Sequence, residues 1–150
     1  TVAANTHYSF PQGSDLAQRF QSLSYRFDLP DRSIVYTGDT GPSSAVEALA
    51  LDADLLVAEM MDIPLTIERM RMANPGMPEP ILQSMQTHLS EHHLSASDVG
   101  ELARRSRVGT VVVTHFSGWD ETDARHAKYL QQIGEAYDGA FVIANDMDAY

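Results

Sequence analysis

Apolar residues in this chain recur with two different periods, and the change from one to the other marks out the elements. Ser24 to Leu29 and Ser33 to Thr37 are short runs of β-branched and aromatic residues. They are separated by Pro30-Asp31-Arg32, so the pattern predicts a hairpin. Ser43 to Leu51 then carries Ala45, Val46, Ala48, Leu49 and Ala50 behind two serines able to cap, which predicts a helix. Asp54 to Met60 and Thr110 to Phe116 are continuous apolar runs of the kind that form strands buried on both faces. Helices are expected after each.

Ser97 to Arg105 reads as a helix behind Ser95 or Ser97, with Asp98 and Glu101 early and Arg104 and Arg105 late, as the helix dipole favours. Asp123 to Tyr137 predicts a further helix, and Ala140 to Ala144 a last strand. A hairpin followed by alternating strand and helix points to an α/β sheet protein. Neither repeats nor a low-complexity tract nor an interdomain linker interrupts the order.

Composition narrows the class. A chain of 150 residues with 43% hydrophobic content buries roughly 70% of its unfolded surface, enough for one packed unit. It contains no run of about 18 apolar residues and no basic-then-apolar stretch after Thr1, so no membrane association is expected. With no cysteine, a transition metal has to be held by histidine and carboxylate. The formal charge of −11, from 10 Lys+Arg against 21 Asp+Glu, opposes a polyphosphate backbone and disfavours nucleic acid as a partner.

Chemistry-bearing side chains recur at the strand ends. Asp39 follows the run ending at Thr37, Glu59 lies near the end of the run to Met60, and His115 near the end of the run to Phe116. His7 follows the small-residue run Thr1 to Thr6. Open α/β sheets bind ligands at the carboxyl ends of their strands, so these four can converge. Each also has a plainer reading, His7 and His115 as loop or core histidines and Asp39 as an Asx-turn residue.

The stretches TVAANTHY, YRFDLPDRSIVYTGDTG, ADLLVAEM, HHLSASDVGELA and VVVTHF occur in that order. Together they resemble the C-terminal half of a metallo-β-lactamase-fold hydrolase, nearest the ribonuclease Z and arylsulfatase-like branch. The resemblance implies half of an αββα sandwich, a mixed sheet flanked by helices. It also implies two metal ions, usually zinc, with manganese or iron as alternatives, and a metal-bound hydroxide that attacks a phosphate ester, sulfate ester or related small substrate. In this reading Asp39 bridges the metals, His7 ligates the first and His115 the second. Glu59 takes the place of the glutamate in the family's HEAT-like strand end, here AEMM. His93, in HLSA where the family has HSTA, takes the place of the histidine that protonates the leaving group; His92 could stand in for it. The family's His-x-His-x-Asp-His element is absent from these 150 residues. Residues 1–150 are therefore expected to be a C-terminal half, completed by an N-terminal half or by another chain, with a homo-oligomer also possible.

A bridging aspartate has to present both oxygens to ions about 3.5 Å apart, and a glycine-flanked turn fixes it while leaving room above. Two alternatives remain open. His88-Leu-Ser-Glu91-His92 spells H-x-x-E-H, the pattern of inverted zinc peptidases. A scaffold or regulatory domain that kept the fold without metal would also explain the missing histidines. Six of the seven methionines lie between Met60 and Met85; they read as core packing, with an apolar substrate cleft beside Glu59 as the alternative. Trp119 reads as filling a gap under the next helix.

Overall fold

The computed structural model describes residues 1–8, 10, 13–117 and 123–150, with side chains from 126 onward in the last segment. Trp119, expected under the following helix, lies outside the described residues. The elements follow in the order β1 (Val2–Ala4), α1 (Asp15–Arg19), β2 (Leu23–Asp28), β3 (Ser33–Tyr36), α2 (Ser44–Ala50) and β4 (Leu55–Met61). The chain continues with α3 (Ile63–Ala73), α4 (Glu79–His92), α5 (Ala96–Ser106), β5 (Thr110–Ser117), α6 (Asp123–Gly134) and β6 (Ala140–Ile143).

The expected helices end within a few residues of the observed ones, and local chemistry explains why. The Ser43 hydroxyl accepts from Val46 N at the start of α2. Ser95 and Asp98 form a reciprocal capping box at the start of α5. Asp62 caps α3 through Leu65 N, with Pro64 in the first turn where its missing N–H costs nothing.

The six strands form one sheet in which spatial order equals chain order, β1-β2-β3-β4-β5-β6. β1, β2 and β3 pair antiparallel, and β3 through β6 pair parallel. Parallel strands that step across a sheet in one direction through right-handed crossovers carry every crossover helix on the same side. Accordingly α2, α5 and α6 pack on one face, burying Val46, Leu49, Val99, Leu102, Tyr129 and Ile133 against Val35, Leu56, Ala58, Val111 and Val113. The Arg26 guanidinium ties β2 to this layer by donating to the Leu49 and Leu51 carbonyls at the end of α2.

The opposite face is different. Cross-strand registers align Val2, Tyr25, Tyr36, Val57, Val112 and Val142 in one row across the sheet. Val2, Tyr25 and Tyr36, together with Phe27 in the neighbouring row, are exposed. This is a mixed sheet flanked by helices, half of the four-layer α/β sandwich expected from the sequence.

The methionines divide between two clusters. Met60 is fully buried in the main core. Met61, Met70, Met77 and Met85 pack around Ile63, Ile67 and Leu82 in a smaller cluster between α3 and α4. Packing therefore accounts for most of them; Met72 is exposed. Among the described residues no helix is long and apolar enough to cross a membrane.

Candidate metal and acid–base site

The carboxyl ends of β3, β4 and β5 bring Asp39, Glu59 and His115 to one edge, the turn after β1 brings His7, and the end of α4 brings His93. Asp39 sits in the Thr37 to Gly41 turn after β3. Gly38 takes a left-handed backbone, φ 60°, which only glycine adopts without strain. Gly41 lies directly under the end of α4, where an added Cβ would fall 1.9 Å from the Glu91 carbonyl oxygen. The two glycines thus let the turn reverse and then slide beneath the helix, which leaves Asp39 at the surface of the site.

The Asp39 carboxylate faces two imidazoles with its two oxygens. Oδ2 lies 4.0 Å from His7 Nε2 and Oδ1 lies 3.4 Å from His115 Nε2. His7, Asp39 and His93 form the one group of three potential metal ligands found among the described residues, with ligand atoms within 4.8 Å of one another. His115 is the most exposed of the set, at 64% of its side chain. Its position is set by an irregularity: between Ala58 and Met60 on β4 the partner strand advances from Val113 to Phe116, one residue more. The extra residue turns His115 into a left-handed conformation, φ 45°. Strain of this kind persists where surrounding structure enforces it, and bulges beside functional sites re-aim side chains in this way.

Glu59 is 2% exposed and would be costly to bury unpaired. Its Oε1 accepts from the backbone N–H groups of Thr40 (3.3 Å) and Leu94 (3.0 Å) and lies 3.2 Å from His93 Nδ1. The hydrogen bond to Glu59 raises the His93 pKa above its ordinary value; burial opposes this, and the charges of Glu59 and Asp39 add to the rise. His93 therefore holds a proton more firmly than a free histidine, with Nδ1 engaged by Glu59 and Nε2 left for the site.

Predicted residues thus fall together as His7, Asp39, His93 and His115, with Glu59 behind His93. The H-x-x-E-H residues do not act as one set: His88 is exposed on α4 while His92 is 4% exposed, its Nδ1 hydrogen-bonded to the Thr6 carbonyl. Sequence reasoning missed the supporting polar residues. Thr37 and Thr40 are both fully buried. The Thr37 hydroxyl accepts from Glu59 N, and the Thr40 hydroxyl lies 3.3 Å from that of Thr6. Asn5 donates to Ser24 Oγ and to the Thr37 carbonyl, and its own Oδ1 accepts from His7 N. The one signal for these partners was the pair of threonines flanking Gly38-Asp39, since their bonds span tens of residues.

No family model matches the sequence. Over 117 residues it is 33% identical to a ribonuclease Z of Haloferax volcanii and 32% identical to one of Myxococcus xanthus. Each match covers 78% of this chain, and 31% and 32% of those proteins, so the chain spans about a third of the relatives it matches. The fold superposes on YhfI of Bacillus subtilis, described as a metallo-β-lactamase fold protein, with a TM-score of 0.63 and 16% identity. That match covers 97% of this chain and 46% of the other. Sheet order and sequence likeness agree, and the chain belongs to the metallo-β-lactamase superfamily of hydrolases, in its ribonuclease Z-like branch.

Proposed function

We propose that this chain supplies the carboxyl-terminal part of a metal-dependent hydrolase acting on phosphate esters or related small esters, with its N-terminal complement held on the same or another chain. The observation that carries this reading is Asp39, whose two oxygens face two different imidazoles 4.0 and 3.4 Å away. Histidine nitrogen and carboxylate oxygen are the donor set of zinc, and manganese or iron accept the same donors. His7, Asp39 and His115 would hold such ions by donor type, while His93 lies beside His7 and Asp39 with its Nδ1 on Glu59 and stays outside the ligand set. When bound, divalent cations there supply Lewis-acid activation of the ester and of the attacking water.

The protein's own groups divide the remaining work. Asp39 holds His7 and His115 on either side of one carboxylate, one oxygen to each. His93, kept protonated by Glu59, delivers a proton to the leaving oxygen through Nε2. Glu59 is a positioning residue: its three hydrogen bonds fix the ring and its charge holds the proton there. A net charge of −11 favours a small ester over RNA, while the ribonuclease Z relatives keep an RNA phosphodiester as the competing substrate.

In the complete protein, Asp39→Ala should lose the bound metal and depress hydrolysis of bis(p-nitrophenyl) phosphate by roughly 10³-fold or more. Asp52→Asn, at an exposed ion pair with Arg107, should change neither. Metal content by elemental analysis decides the assignment: unchanged metal in Asp39→Ala overturns it. Cleavage of a short RNA with no turnover of the small diester would reassign the substrate.

A further inference from the structure

We propose that His92 is a positioning residue that holds His7 in the tautomer needed for metal binding, through a reciprocal bond between two rings and two backbone carbonyls. α4 ends at His92, and the last four carbonyls of a helix have no partner within it. The His92 carbonyl is one of these, and it lies 3.4 Å from His7 Nδ1. In return, His92 Nδ1 lies within hydrogen-bonding distance of the carbonyl of Thr6, the residue before His7. A carbonyl only accepts, so both rings donate through Nδ1–H. Each neutral imidazole then carries its lone pair on Nε2, and that of His7 faces the Asp39 carboxylate.

Free neutral histidine favours the opposite tautomer, so the protein imposes this one. Thr6 and His7 are pinned from below, where Asn5 joins them to Ser24 and Thr37 and Thr40 accepts from Thr6 N. His92, 4% exposed, closes the clamp from above. The neighbouring histidines on one short stretch consequently do two jobs. The chain leaves helix at His93, φ −134° and ψ 155°, so His93 turns to Glu59 while His92 turns to Thr6.

The tautomer is a property of the metal-free protein and stands apart from the proposed function; the consequence for zinc affinity rests on that reading. Long-range ¹H–¹⁵N correlation spectra of the metal-free protein, recorded at alkaline pH with the rings seen in the spectra to be neutral, report which nitrogen carries the proton. His7 and His92 should both be protonated at Nδ1. His92→Ala should move His7 toward Nε2–H and weaken zinc binding roughly 10- to 100-fold. His92→Asn, whose amide nitrogen reaches where Nδ1 sat, should keep the His7 tautomer and most of the affinity. A native His7 protonated at Nε2, or a folded His92→Ala variant with the His7 tautomer unmoved, overturns the proposal. Should His92→Ala fail to fold, the native spectrum and His92→Asn still decide it. Should zinc fail to bind the native protein while the tautomer is as stated, the metal reading fails and the clamp remains.

Discussion

The two faces of the one sheet carry comparable side chains, and over β1 to β3 they meet opposite fates. On the helix-covered face Val35, Leu56, Ala58, Val111 and Val113 are all fully buried. On the other, Val2, Tyr25, Phe27 and Tyr36 keep 40 to 54% of their surface exposed. Hydrophobicity alone does not separate these sets. Topology separates them over β1 to β3: α2, α5 and α6 pack on one side, while on the other Val2, Tyr25 and Tyr36 stay exposed, although Val112 in the same row is 5% exposed. Exposed apolar residues gathered on one sheet face are where the proposed N-terminal complement would pack. The site lies at the strand ends, along the edge shared by both faces, and under the proposed function the N-terminal complement would add further ligands there.

The largest effect should come from testing the faces directly. Leu56→Ala on the covered face removes a fully buried side chain and should cost about 2–5 kcal/mol in urea unfolding. Tyr36→Ser on the open face, 43% exposed, should change the stability of the chain by about 0.5 kcal/mol or less and reduce self-association in sedimentation. A loss for Tyr36→Ser comparable with that for Leu56→Ala would break the comparison, because it would mean that the open face is already covered in solution.

Those outcomes bear on what could be read from the sequence. The valine run at 111–113 and the serine caps at 43 and 95 were legible because strand and cap signals are local. The helices α3 and α4 were expected only as following elements. Their bounds depend on Pro64, Pro78 and Pro80 and on a methionine-rich interface whose residues carry no sharp period. β1 was read merely as a small-residue run, since Val2-Ala3-Ala4 becomes a strand by pairing with β2. The bulge that aims His115 was not legible, because an extra residue is defined only against the partner strand. Likewise Asp39 and His7 stood out at the ends of runs, whereas Thr6, Thr40 and His92 act through bonds to residues 34 and 86 positions away.

A second test asks whether the buried acid–base pair belongs energetically to the covered side. The folded-state pKa of His93 lies above its ordinary value of about 6.5, chiefly through Glu59. A raised pKa means that the folded protein binds the proton more tightly than the unfolded one. The resulting stability is fully present below the unfolded pKa and is lost as pH rises through the folded pKa. Glu59→Gln removes the charge that raises it. Urea unfolding across pH 5 to 9 should therefore show a stability advantage of the native protein over Glu59→Gln that shrinks toward the alkaline end. An advantage growing with pH would place the pair outside the stabilising network and weaken the case for His93 as proton donor.

The smallest effect should come from the same contrast reduced to one helix. His88 and His92 are one turn apart on α4 with ring centroids 4.3 Å apart, yet His88 is exposed and His92 is 4% exposed and bonded across to Thr6. If H-x-x-E-H were a zinc-binding unit, the two would contribute equally and His88→Ala would remove a metal. With the metals at the strand ends, His88 offers a ring contact to His92 at the surface, worth a few tenths of a kcal/mol. His88→Ala should leave metal content, His7 tautomer and hydrolysis unchanged, with stability shifted by about 0.5 kcal/mol or less. Loss of a metal ion from His88→Ala, measured beside His92→Asn under the same conditions, would move the centre from the strand ends to the helix, and would make the open sheet face irrelevant to it.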